Sequence, residues 1–159
     1  MKKIALHGKL GEGKFALVDN EDFEELNRHK WMVNSKGYAV RGKRINGKFK
    51  EIRMHIVINK TPVGFETDHK DRIRLNNQKH NLRTCTSLQN KINCSIKSSN
   101  SSGYKGVWFH KTGKKWTASI KINKKKNYLG LFAEKIDAAR AYNEAAIKHH
   151  GEFAVLNKI

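Results

Sequence analysis

Acidic residues are missing from the middle of this chain. Between Asp71 and Glu134 there is no Asp or Glu, while the same stretch holds 14 Lys and Arg, from Arg72 to Lys126. Over all 159 residues, 33 Lys and Arg face 14 Asp and Glu, a formal charge of +19. Like charge in such excess works against a compact state unless an anion is near. Nucleic acid is the first partner this implies and an acidic membrane surface the second. Long apolar runs are also missing. No segment approaches the roughly 18 apolar residues of a membrane span. The opening "MKKIALHGK" has a three-residue apolar run, too short for a secretory signal. Two cysteines, Cys85 and Cys94, make no disulfide framework and lack the C-x-x-C spacing of a zinc knuckle. The expectation is an intracellular, reduced chain with no membrane partner.

What is present divides into three units, and the length suffices for two or three small domains. Residues 1–54 read as β-rich. "FALVD" is a strand, and "NEDFEELNRH" a short helix with Asn20 as N-cap. "GYAVRGKRINGKFKEIRMHIVI" is a hairpin about Asn46-Gly47. Lys43, Arg44, Lys48, Lys50 and Arg53 cluster around that hairpin, either as DNA contacts or as a solvated surface. In residues 55–94, "HIVI" is strand-like and Pro62 and Gly64 mark a turn. A polar loop runs from 70 to 83, and "TCTSLQNKINCSI" is a helix capped by Thr84 or Thr86. Residues 95–103, "SIKSSNSSG", read as a flexible linker. Residues 104–159 follow with strands "YKGVWF", "KWTASIKI" and "KNYLGLF", and an alanine-rich helix ending at Gly151. "KWTASIKI" alternates, with Trp116, Ala118, Ile120 and Ile122 on one face and Lys115, Thr117, Ser119 and Lys121 on the other. Ala138, Ala141 and Ala145 would let the helix pack closely on the apolar face. Tyr104, Trp116, Phe132 and Tyr142 read as packing residues. The fold class is α+β.

The chemistry concentrates in "TDHKDRIRLNNQKHNLRTCTSLQN", residues 67–90. Asp68 and His69 are adjacent, so in an extended segment they point to opposite sides. A carboxylate is a hard oxygen ligand suited to Mg²⁺, and a neutral imidazole is a base near neutral pH. Asn90 lies about 200° around the expected helix from Leu88, away from a stripe of Cys85, Leu88, Ile92 and Ile96. Its amide oxygen can join a hard cation. Asn81 can bind backbone across the loop and steady the strand that presents His69. Together these are the parts of a one-metal phosphodiester hydrolysis site. His55 is either structural or an active-site support. His80 reads as solvated or phosphate-contacting, and Arg83 either reaches a phosphate or pins the loop. Asn76 and Asn77 receive no role.

His69, Asn81 and Asn90 follow one another at intervals of twelve and nine residues, with "DH", "NLR" and "SLQN" around them. In this the stretch resembles the HNH endonuclease motif of phage and intron homing nucleases, over about residues 54–94. The resemblance implies a ββα-metal core, with Asp68 and Asn90 as metal ligands, His69 as general base and Asn81 orienting it. Asn at the third motif position favours Mg²⁺ or Mn²⁺ over Zn²⁺. It implies double-stranded DNA as substrate and a monomer that nicks, unless a homodimer forms. If phage-encoded, the protein would act in the bacterial cytoplasm.

"YKGV", "KWTASI", "YLGLF", "AARAYNEAA" and the final "LN" resemble the apetala-type, ethylene-response-factor DNA-binding domain of plants, over about residues 103–157. That resemblance implies a three-stranded sheet in the DNA major groove. Its contacts would be Lys105, Trp108, His110, Lys115, Ser119, Lys121, Lys126 and Tyr128, joined by Arg83 of the nuclease module. Several base-reading arginines of that family are Lys, Trp or His here, so the recognised sequence does not carry over. Two other functions compete with the endonuclease reading. One is a sequence-specific DNA-binding regulator with an inactive nuclease motif; the other is an RNA-directed protein.

Overall fold

The computed structural model of the chain describes residues 1–96 and 98–159. Lys97, one of the basic run and of the expected linker, lies outside the described residues. The chain forms two compact units, Met1–Ser87 and Leu88–Ile159. Its class is α+β.

The first unit is built on a five-stranded sheet. Its strands are β1 (Lys2–His7), β2 (Phe15–Val18), β3 (Trp31–Val33), β4 (Ala39–Ile45) and β5 (Lys48–Arg53), in the order β2-β1-β3-β4-β5. β1 and β3 run parallel and the other pairs antiparallel. Asn46 and Gly47 join β4 to β5 with φ of 50° and 74°, the left-handed pair that a two-residue hairpin loop requires. Helix α1 (Asn20–Asn27) has Asp19, not Asn20, at its N-cap. Asp19 does not cap that helix. Its carboxylate accepts from the Lys79 backbone N–H at 2.7 Å and from Gln78 Nε2 at 3.1 Å. Ile4, Leu6, Ala16, Val18, Leu26 and Trp31 form the centre of the core, with Met54, Ile58 and Leu82 beneath the site described below.

"HIVI" is not a strand. Residues Met54–Asn59 are helix α2, ended by Lys60 at φ 48°. Three β-branched residues suggested a strand, but the helix buries Met54, His55 and Ile58 on one side, the i, i+1, i+4 spacing of a helical face. β6 (Glu66–His69) pairs antiparallel with β7 (Leu82–Cys85), and a 3-10 turn, Lys79–Asn81, leads into β7. The expected helix over 84–96 is therefore two elements. Thr84 and Cys85 are in β7, and the helix α3 is Ser87–Ile92, immediately after Thr86. Cys85 is buried in its strand, while Ile96 is exposed and outside the helix, so no four-residue apolar stripe exists.

In the second unit β8 (Val107–His110), β9 (Lys115–Ile122) and β10 (Lys125–Phe132) form an antiparallel sheet with β9 in the centre, packed on α4 (Lys135–His150). The buried helix face is Ala138, Ala139, Tyr142 and Ala146; Ala141 and Ala145 flank it, half-buried. Gly106 has φ 75°, and a Cβ there would fall 2.2 Å from the Tyr142 ring and 2.5 Å from the Ser119 carbonyl oxygen. Only glycine permits that approach. Tyr104, Trp116 and Phe132 pack against this core. Residues 100–103 are held in place. Ser102 is buried and its hydroxyl oxygen lies 2.8 Å from Asn100 Oδ1 and 2.7 Å from the Val107 carbonyl oxygen, with its one proton to give to either. The chain's end is tied back too: Asn157 exchanges hydrogen bonds with the Lys105 backbone and with Asn143.

Candidate active site and nucleic-acid interface

β6 ends in Asp68 and His69, and both are buried. Asp68 pairs across the ladder with Arg83, and His69 with Leu82. Cross-strand partners share a face, so the Arg83 guanidinium meets the Asp68 carboxylate, its Nε at 2.9 Å and Nη2 at 2.7 Å from Oδ2. Both side chains are nine-tenths buried. Arg83 thus balances a buried carboxylate.

His69 faces a different set of groups. Its Nε2 lies 3.2 Å from Asn77 Oδ1. Asn77 is fully buried, and its amide nitrogen donates to the Leu75 carbonyl at 3.3 Å and to Met54 Sδ at 3.5 Å. A carbonyl can only accept, so the amide nitrogen must face Leu75 and the amide oxygen must face His69. His69 Nε2 then carries the proton, and Nδ1 holds the lone pair. The His55 ring meets the His69 ring edge-on at 5.0 Å, and Tyr38 lies 4.9 Å from His55. Burial pushes His69 below the usual imidazole range, against the Asn77 bond and the charges of Asp71 and Asp68, which raise it. Burial also pushes His55 down to about 3, with His69 and Arg53 adding to the effect. Both rings are neutral at neutral pH. His55 Nδ1 is buried without a hydrogen-bond partner.

The loop between the strands is tied internally. Asn81 Oδ1 accepts from the Asp71 backbone N–H at 3.0 Å. Its amide nitrogen donates to Asp71 Oδ1 at 2.9 Å and to the Asn76 carbonyl at 2.8 Å. Asn76 Nδ2 in turn donates to Asp71 Oδ2 at 2.7 Å. Burial raises Asp71, but the bonds from Ile73, Asn76 and Asn81 outweigh it and hold its carboxyl below the usual range. The loop is anchored on β2, where Leu17 donates to the Leu75 carbonyl and accepts from the Asn77 N–H, both at 2.8 Å. Lys79 pairs with Glu21 and, at 3.2 Å, with Asp22. Asn77 is the site residue that sequence reasoning missed. Beside an identical Asn76, only its burial against Met54 and Leu75 distinguishes it.

In the C-terminal sheet, the cross-strand register places Trp108, His110, Lys115, Thr117, Ser119, Lys121, Lys126 and Tyr128 on one face. His110, Lys115, Lys121, Lys126 and Tyr128 are exposed. His110 Nδ1 accepts from the Gly113 N–H at 3.0 Å, which steadies the β8–β9 turn. Two expected contacts need correction. Ser119 is buried, as is Thr117. β9 is the central strand, and Lys126 of β10 reaches across it to lie 3.9 Å from the centre of the Trp108 ring on β8. This cation–π contact roofs the small hydroxyl residues between. Lys105 is also committed elsewhere: its ammonium donates to the Ile92 carbonyl at 2.6 Å and the Cys94 carbonyl at 2.8 Å.

Among known proteins, the chain is 33% identical over 152 residues to an uncharacterized HNH endonuclease of Acanthamoeba polyphaga mimivirus, covering 94% of this chain and 78% of that protein. The chain belongs to the HNH endonuclease family. Its C-terminal part is 48% identical over 59 residues to APETALA2-like protein 2 from the indica and japonica subspecies of Oryza sativa; this covers 36% of the chain and 13% of each plant protein. No family model matches the chain.

Within the HNH motif, β6, the tied loop and β7 bring Asp68, His69 and Asn81 together in the first unit. Asn90 is half-buried in α3 and falls in the second unit. Among the described residues, no group of three or more His, Cys, Asp or Glu could hold a metal ion. The donors present are hard oxygens, a carboxylate and side-chain amides, with a neutral imidazole beside them. Mg²⁺ is bound in phosphate chemistry through one or two protein oxygens plus water and substrate oxygens, and the motif's donor set fits that demand. Among the described residues, no helix is long and apolar enough to cross a membrane.

Proposed function

We propose that this HNH protein is a divalent-cation-dependent DNA endonuclease. The observation that carries the reading is the buried, neutral His69 with its Nε2 facing Asn77 Oδ1. A general base must hold a lone pair at working pH, and this arrangement leaves that lone pair on Nδ1. His69 takes the proton of the attacking water at Nδ1. Asn77 positions the ring and sets its tautomer, and Asn81 keeps the loop shut so that Asp68 and His69 stay at the strand end. Asp68 and, by motif spacing, Asn90 would hold Mg²⁺ or Mn²⁺. When bound, the cation polarises the scissile phosphate and stabilises the leaving oxygen. The C-terminal sheet supplies a DNA-binding face in the major groove through Lys115, Lys121, Lys126, His110, Trp108 and Tyr128.

Incubating the full chain with supercoiled plasmid and Mg²⁺ or Mn²⁺ tests this reading. Nicked or linear product, abolished by EDTA, is the expected result. One observation favours a second reading, a DNA-binding protein with a silent nuclease motif: Arg83 already neutralises Asp68. Retention on DNA in EDTA, with no cleavage in any divalent ion, would decide for it.

A further inference from the structure

The β4–β5 hairpin outgrows its sheet. β3 reaches β4 only at Ala39 and Val40, so Arg41–Ile45 and Lys48–Ile52 pair with each other alone. At ~3.4 Å per residue this is a ribbon about 17 Å long. Bare two-stranded ribbons are marginal in water, and this one is stiffened. Its turn is the Asn46-Gly47 pair. Near the tip the Phe49 ring lies on Gly42, where a Cβ would come within 2.2 Å of the ring, yet Phe49 is 73% exposed.

The register decides what the ribbon presents. Lys43 stands opposite Lys50 and Ile45 opposite Lys48, so three lysines share one face; Phe49, Arg44 and Glu51 are on the other. Like charges directly opposite destabilise a ladder. The ribbon's acid, Glu51, is held by Asn34 and Arg53. Among the described residues, Lys43, Lys48 and Lys50 form no ion pair. A stiff, exposed ribbon with an unbalanced lysine face is matched by a polyanion.

We propose that this ribbon is a second DNA contact, its Lys43–Lys48–Lys50 face set against phosphates of the major groove. A major groove about 12 Å wide admits a two-stranded ribbon, whereas that of A-form RNA is too deep and narrow. A membrane would take the lysines together with the exposed Phe49 ring, which lies on the opposite face, while Ile45 and Ile52 beside the lysines are half-buried. The proposal rests on the endonuclease reading only in naming DNA as the polyanion.

The test is binding of the full chain to a labelled duplex in EDTA from 50 to 200 mM salt. Wild type is compared with the triple variant Lys43→Gln, Lys48→Gln, Lys50→Gln. Each phosphate charge neutralised contributes about 0.9 to the slope of log Kobs against log salt. The variant should bind more weakly, with a slope shallower by about 2 to 3. An unchanged slope overturns the proposal, as does a loss confined to duplex RNA or to phosphatidylserine vesicles. If the variant does not fold, acylation of wild-type lysines answers instead. Duplex DNA should protect Lys43, Lys48 and Lys50 at least several-fold, and no protection overturns the idea. Plasmid cleavage run in parallel separates the two readings. A protein that binds through the ribbon but never cuts sinks the nuclease and leaves the ribbon standing.

Discussion

Asn77 Oδ1 and His69 Nε2 lie 3.2 Å apart inside the first unit, with the Asn77 amide nitrogen turned to the Leu75 carbonyl. The pair therefore sets which nitrogen of the histidine is basic. Replacing Asn77 with Asp puts a carboxylate beside the ring and raises the His69 pKa. The base works when neutral, so the rising limb of the pH–rate profile should move to higher pH. Asn77→Leu should lower the maximal rate by up to about 100-fold, the low end of what general-base catalysis contributes, with little change in DNA affinity. A cleavage profile across pH checks both, and an unmoved limb in the Asp variant removes Asn77 from the machinery.

Acid should unfold the first unit through its two neutral histidines. The folded-state pKa of His55 is about 3, against 6.5 for the ordinary side chain, and His69 is shifted the same way. Below pH 6.5 the unfolded chain binds protons that the folded chain refuses. For His55, stability is thus full above that pH and falls as pH drops toward 3, by up to about 1.4 kcal/mol per pH unit, and His69 adds in the same direction. Urea midpoints between pH 7 and 4 measure the slope. His55→Phe should flatten it.

Asp68 and Arg83 are a buried pair, and removing one partner leaves a buried charge. Arg83→Met should cost about 3–5 kcal/mol in urea unfolding, while the double replacement of Asp68 and Arg83 by Leu should recover most of it. A single-variant cost under 1 kcal/mol would show that the pair is solvated.

The sheet face divides its residues by exposure. Lys115→Ala, Lys121→Ala and Lys126→Ala should each weaken duplex binding and its salt dependence. Ser119→Ala, under the Lys126–Trp108 contact, should leave binding within about twofold. Gly106→Ala should destabilise the second unit by at least about 1–3 kcal/mol through strain against Tyr142.

The chemistry was more legible in the sequence than the scaffold that holds it. Hairpins, alternation along Lys115–Ile122 and the spacing of His69, Asn81 and Asn90 are local signals, and they led to the α+β class and the family. Helix α2 was hidden because His55, Ile56, Val57 and Ile58 have strand-like side chains, and only its packing made it a helix. Strands β1 and β3 went unread, and their parallel pairing, Leu6 opposite Trp31, joins segments distant in sequence. Ser119 could not be known as buried, since alternation assigns a face and not what crosses it. Asn77 depends on three contacts from separate segments, which no spacing records.

His69 is the proposed base of a metal-dependent DNA endonuclease. The most direct measurement compares wild type with His69→Ala on supercoiled plasmid in Mg²⁺ and in Mn²⁺, with DNA affinity measured alongside in EDTA. Wild type should cleave, the variant should cleave at least about 100-fold less, and both should bind equally. Equal rates in the two proteins, or no cleavage by wild type in either ion, would contradict this.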